Sequence, residues 1–277
     1  MKVIDLFAGA GGLGEGFYNA GFSISASIDN NTHCLNTLKT RALYRYFKKV
    51  NEQEYFKLIT SSTLDHRTEL YNTLFNDNKI KEKVLSLDLS KTFDKNVRKE
   101  LISIKKDCDV IIGGPPCQAY SLINTKTRNK SSDIRHVLFK NYLHIIDIIK
   151  PKVFLFENVV GMTSSKINGK NIIQLFEDDL KKMKTKYFII SKRGDKNDLS
   201  YNRKDYIYDM STYGIPQKRR RFILVAIRKD IYKKHNKNDL CKKFFSKKEY
   251  ETFTVKNAIG DLPKINALNK RGEDSYL

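Results

Sequence analysis

The sequence predicts an α/β fold with a doubly wound, Rossmann-like sheet, on three observations. Short apolar runs end abruptly at glycine, proline or an acidic residue; a glycine-rich turn follows the first run directly; and helical periodicity fills the later gaps. Strands are expected at Lys2 to Phe7, Ser23 to Ile28, Val84 to Asp88, Val110 to Ile112, Val153 to Phe156, Tyr187 to Lys192 and Phe222 to Ile227. Helices are expected between them. The clearest runs from Asp133 to Lys150, with Ile134, Leu138, Tyr142, Ile145 and Ile149 on one stripe, Asp133 as N-cap and Pro151 after its end. A stretch from about residue 40 to 83 is an insertion of mostly helical character.

Each strand tip carries a chemical cue. After the first strand comes Ala8-Gly9-Ala10-Gly11-Gly12-Leu13-Gly14, in which Gly9, Gly11 and Gly14 satisfy G-x-G-x-x-G. Glycines there let the backbone approach a cofactor, and the following helix N-terminus offers unpaired N–H groups. Asp29 ends the second strand candidate, where a carboxylate can accept both hydroxyls of a ribose. A lone glycine motif is weak evidence; the preceding strand, the following helix and Asp29 together make nucleoside binding the better reading.

The fourth strand ends in Gly113-Gly114-Pro115-Pro116-Cys117-Gln118. Two glycines free the backbone and two prolines fix φ and end strand pairing, so Cys117 sits on a rigid loop at the carboxyl end of a parallel strand. Taken alone, it reads as a buried loop cysteine. The fifth strand, however, delivers Glu157-Asn158-Val159 to the same sheet edge, and Gln217-Lys218-Arg219-Arg220-Arg221 leads into the last strand. In an extended segment Arg219 and Arg221 are expected on one side.

Taken together, these segments resemble the C5-cytosine DNA methyltransferases. Asp5-Leu6-Phe7-Ala8-Gly9-Ala10-Gly11-Gly12 resembles their cofactor loop, Gly114-Pro115-Pro116-Cys117-Gln118 their nucleophile loop, Glu157-Asn158-Val159 their carboxylate motif and Gln217 to Arg221 their arginine motif. The resemblance implies the class I methyltransferase fold with S-adenosylmethionine as donor. It also implies that Phe7, Gly9, Gly11 and Gly12 line the methionine and adenosine, Asp29 the ribose and Asp88 the adenine amino group. Leu138 matches a further cofactor contact, and Pro116 closes over the site.

The chemistry so implied is covalent. Cytosine C5 is a poor nucleophile until a thiolate, here Cys117, adds to C6. An unassisted thiol titrates near pH 8.5, so Arg219 or Arg221 is expected to supply a positive field or to hold the base. Glu157 is expected on the N3 and N4 edge of the base. The base must leave the stack, and residues 119–132, with Lys126, Arg128 and Lys130, are the expected lid.

Composition agrees. Lys plus Arg total 52 against 31 Asp plus Glu, a net charge of +21, the electrostatic footprint of a nucleic-acid binder, and the resemblance implies double-stranded DNA as the partner. The four cysteines and five histidines show neither disulfide nor metal-ligand spacing, and no apolar run suits a membrane. A reduced, cytoplasmic protein, nucleoid-associated through DNA, is expected. Residues 1–263 are expected to form the catalytic domain and 264–277 a short tail, where the family's target-recognition region would begin. The expectation is a split or truncated restriction-modification enzyme. Its second polypeptide would supply the missing parts and cover an apolar patch near the first helix. Three alternatives stand beside this one. They are a tRNA cytosine-5 methyltransferase, an NAD-dependent oxidoreductase licensed by Gly9, Gly11 and Asp29, and a non-catalytic DNA-binding subunit.

Overall fold

The computed structural model describes residues 1–116, 134–167, 169–190, 203–234 and 250–262. Cys117, the expected lid at 119–132, the expected cap Asp133 and the tail 264–277 lie outside them. The chain divides into two compact units: Met1–Tyr208 with Arg221–Ser246, and Asp209–Arg220 with Lys247–Leu277.

The larger unit is built on β1 (Lys2–Leu6), β2 (Ser23–Asp29), β3 (Lys83–Ser86), β4 (Val110–Gly113), β5 (Val153–Val159), β8 (Tyr187–Ile190) and β10 (Arg220–Arg228). Their order is β3-β2-β1-β4-β5-β10-β8, with β9 (Ile207–Asp209) paired to β10; β6 (Lys166–Ile167) and β7 (Lys170–Asn171) form a separate hairpin. The five strands from β3 to β5 are parallel, whereas β10 runs antiparallel to both β5 and β8. The doubly wound α/β expectation therefore holds, with order reversing between β1 and β4, where such sheets bind ligands.

Both faces are covered, which explains the runs of apolar residues in the central strands. On one face Ile4, Leu6, Ile111, Phe154, Phe156 and Leu224 pack with α5 (Lys95–Ile104), α6 (Ile134–Ile149) and α7 (Ile172–Lys182). On the other, Val3, Ile24, Val110 and Ile112 meet Leu13, Phe17 and Tyr18 of α1 (Gly12–Asn19). Leu13, Phe17 and Tyr18 are half-buried because they cap this face. Between β2 and β3 come α2 (Thr32–Val50), α3 (Glu52–Ser61) and α4 (Leu64–Asn76), joined by a small core of Ala42, Leu43, Tyr71, Leu74 and Ile80.

Several strand bounds differ from expectation. β1 ends at Leu6 because Phe7 adopts φ 54, and β3 stops at Ser86, leaving Asp88 in the loop. β5 continues through Glu157 to Val159, since β10 pairs with it as far as Arg221 opposite Val159. A partner strand, rather than apolar character, sets that boundary.

In the smaller unit the turn Met210–Tyr213 ends at Gly214, whose φ of 74 requires glycine, and Tyr250 packs within 3.5 Å of where a Cβ would stand. Val255–Ile259 (α8) starts in a capping box of Thr254 and Asn257. Large apolar side chains here are exposed: Tyr213, Ile215, Tyr250, Phe253, Val255, Ile259 and Leu262.

Candidate active site

The glycine loop leaves β1 with three left-handed residues, Phe7 (φ 54), Gly9 (φ 55) and Gly11 (φ 80). Its turn is closed by Gly11 N–H donating to Ala8 O at 2.8 Å. A Cβ built on Gly9 or Gly12 meets nothing within 4 Å, so the loop faces open space with its backbone. At its rim Asp29 accepts from Gly9 N–H (2.8 Å) through Oδ2 and from Asn31 N–H (2.9 Å) through Oδ1. Each carboxylate oxygen keeps a lone pair for a further donor. A backbone cradle beside an acceptor carboxylate and a helix start fits a nucleoside-bearing cofactor.

Asp88 begins the turn Leu89–Lys91, and the Ser90 hydroxyl (2.6 Å) and N–H (3.0 Å) hold its carboxyl below the usual carboxylate range. Buried Asn141 of α6 ties down this loop by donating to Leu89 O (3.0 Å) and Ser90 O (2.7 Å). Leu138 lies half-buried one turn earlier on the same helix. Asn141 escaped sequence reading because a polar residue on an apolar stripe carries no mark of its partners.

Charge is concentrated beneath the loop. Asp5 is buried and accepts from Gly14 N–H at 3.1 Å; burial raises its pKa to about 7. Arg45 of α2 reaches Glu82 (2.7 and 2.8 Å) and Glu15 of α1 (2.8 Å), with its guanidinium over the Tyr18 ring. Ser27 of β2 adds a hydrogen bond to Glu82 at 3.1 Å.

At the ends of β4 and β5 the contacts are of another kind. A Cβ on Gly113 would stand 2.6 Å from Leu6 O, and one on Gly114 2.6 Å from Glu157 Oε2. Both glycines are required by close approach. Asn158, buried in β5, donates from Nδ2 to Pro115 O at 3.1 Å and so anchors the proline turn. Pro115 is buried and Pro116 exposed, which sets the chain's course just before Cys117.

Glu157 and Arg221 meet directly, Arg221 Nε standing 3.0 Å from Glu157 Oε1. Their strands bring them together: Ile223 of β10 lies opposite Glu157, two residues along from Arg221. Arg219 precedes β10, belongs to the smaller unit and is exposed. Of the two cysteines described, burial pushes the Cys108 thiol up to about 12, and desolvation, with Asp29 nearby, raises that of Cys34. Neither is disposed to ionise. Among the described residues there is no metal-ligating cluster and no helix long and apolar enough to cross a membrane.

Comparison with known proteins gives one consistent result. The profile of the C-5 cytosine-specific DNA methylase family matches residues 1–66 and 47–276. The Type II methyltransferase M.Bpa9945I of Bacillus paralicheniformis is 30% identical over 100% of this chain and 63% of its own length. The Type II methyltransferase M1.HphI of Haemophilus parahaemolyticus is 28% identical over 100% of this chain and 56% of its own. The chain thus spans less than two thirds of the length of these relatives. A crystal structure of a prophage-encoded E. coli protein, described as a DNA modification methyltransferase, superposes with a TM-score of 0.61 at 23% identity, covering 99% of this chain and 58% of that one. That likeness establishes the fold.

Proposed function

The chain belongs to the C-5 cytosine-specific DNA methylase family, and from that premise we propose that it transfers a methyl group from S-adenosylmethionine to C5 of cytosine in double-stranded DNA, within a restriction-modification system. The observation that carries this reading is the contact of Glu157 with both Arg221 and the Gly114 turn that leads to Cys117.

In this reading Phe7, Gly9, Gly11 and Gly12 line the methionine and adenosine, Asp29 takes the ribose hydroxyls and Asp88 the adenine amino group, with Leu138 and Pro116 closing the cleft. S-adenosylmethionine, when bound, supplies an electrophilic methyl group. The protein's own part is to activate the acceptor. Cys117 adds as thiolate to C6 of a flipped cytosine, moving electron density to C5; later loss of the C5 proton expels the thiolate and restores the ring. Glu157 hydrogen-bonds the N3 and N4 edge, supporting proton transfer to N3 as the thiolate adds. Arg221 orients Glu157, and Arg221 or Arg219 supplies the positive field that favours thiolate.

Selection of the DNA site is proposed to lie with a second polypeptide. The test is transfer of labelled methyl to duplex DNA by this chain alone and with the product of the adjacent reading frame. Transfer in the mixture, reduced to background by Cys117→Ser, is the expected result. Undiminished transfer by Cys117→Ser would sink the covalent mechanism, and transfer to tRNA alone would move the substrate to RNA.

A further inference from the structure

We infer that Arg41 of α2 is a positioning residue that braces the glycine loop and thereby sets the affinity for the methyl donor; the identity of that donor rests on the function proposed above. The loop needs an outside brace. Three of its residues hold positive φ, and Ala10 at its crest is exposed. Gly11 at the N-cap of α1 offers no side-chain cap, whereas Asn31, Thr63, Asp94 and Asn171 cap α2, α4, α5 and α7. A glycine-rich segment so placed loses more conformational entropy on ordering than any other sequence would.

Arg41 supplies what the missing cap does not. Its Nε donates to Ala10 O at 2.6 Å and its Nη1 to Glu15 Oε2 at 3.1 Å, so one planar guanidinium joins the loop crest to the first turn of α1. Its Cδ also stands 3.0 Å from where a Gly11 Cβ would be, which seats the side chain against the loop. Glu15 is held from behind by Arg45, itself fixed on buried Glu82, so the brace ends on a rigid anchor. Arg45 is buried in this network, while the Arg41 side chain is a third exposed and can be replaced without emptying the core.

The test uses Arg41→Ala and Arg41→Lys in the full chain, with two readouts. The first is amide hydrogen exchange of residues 9–15 in ligand-free protein; the second is the S-adenosylmethionine dissociation constant by calorimetry, alongside KM and kcat. For Arg41→Ala, exchange at 9–15 should accelerate and affinity should weaken, each by about 10-fold, the scale of one charge-assisted hydrogen bond. KM should rise more than kcat falls, and Arg41→Lys should recover part of the loss. Unchanged exchange, or weakened affinity with the loop still protected, would overturn the brace. Should Arg41→Ala fail to fold, the milder Arg41→Lys carries the same comparison. If wild type itself has no affinity for S-adenosylmethionine, the proposed function fails, while exchange still decides whether Arg41 holds the loop.

Discussion

Beneath β1, β2 and β3 the site is tied by charged side chains, with Glu15, Arg41, Arg45 and Glu82 linked over distances of 2.7–3.1 Å. At the ends of β4 and β5 it is held by close approach of the backbone: Gly113 against the Leu6 carbonyl, Gly114 against Glu157, and Pro115 on the Asn158 amide. The two halves have different tasks in the proposed reaction. A charged network can lose one bond and keep its shape, so it suits a binding surface whose affinity can be graded. Crowded glycines leave no slack, which suits a nucleophile that must be placed to within fractions of an ångström. Changes in the first half should therefore appear in stability and donor affinity, and changes in the second in turnover.

The largest effect should come from breaking the first half at its anchor. Burial pushes the Glu82 carboxyl up in spite of Arg45 and Ser27, so this pair gains little beyond its own desolvation. Arg45→Met leaves buried Glu82 without its counter-ion and should cost about 3–5 kcal/mol in denaturant unfolding, whereas Arg45→Met with Glu82→Leu should recover most of it. A single variant as stable as wild type would show that the network is ornamental. Next comes Asp5, whose carboxyl titrates at about 7 through burial, with Glu82 and Asp29 adding to the rise and Arg45 opposing it. The stabilising contribution of its proton is complete below pH 4 and lost as pH rises through 7, because the folded state binds that proton more tightly. Asp5→Asn should therefore flatten the fall in stability between pH 4 and 8, by on the order of a few kcal/mol. An identical slope in both proteins would place the pH dependence elsewhere.

In the second half Gly114→Ala puts a methyl group 2.6 Å from Glu157 Oε2 and 3.1 Å from its carbonyl. Displacing Glu157 or the turn before Cys117 should lower turnover about 100-fold. The dissociation constant of S-adenosylmethionine should stay near that of wild type. Equal loss in both would mean that the two halves are one mechanical unit.

Reading the chain in advance reached what local chemistry encodes and stopped where partners are distant. Gly9, Gly11 and the prolines at 115 and 116 announce a turn whatever surrounds them, so the strand tips and the α/β class were legible. Glu157 directly follows an apolar run yet lies inside β5, because β10 supplies its ladder from more than sixty residues away in sequence. Arg45 and Glu82 are 37 residues apart, and nothing local to either marks the other. Asn158 stands beside Glu157 in the sequence, but its bond to Pro115 depends on the end of β5 meeting the turn after β4 in space. β9, three residues long, has too little periodicity to register.

The smallest effect is also the sharpest test of the division. Asn158→Ala removes one hydrogen bond to Pro115 O in a buried setting, at a cost of about 1–3 kcal/mol. Part of that should appear as looser placement of the turn, lowering turnover by roughly 10-fold while donor affinity is kept. Combining it with Arg41→Ala, on the other half, tests whether the halves act separately. No hydrogen bond joins Arg41 and Asn158, and their partners, Ala10 and Glu15 on one side and Pro115 and Val159 on the other, are not shared. In kcat/KM the two losses should then add to within about 0.5 kcal/mol. A coupling well beyond that would mean that loosening the glycine loop also moves the nucleophile turn. The packing of Gly113 against Leu6, the last residue of β1, would then be the joint through which it travels.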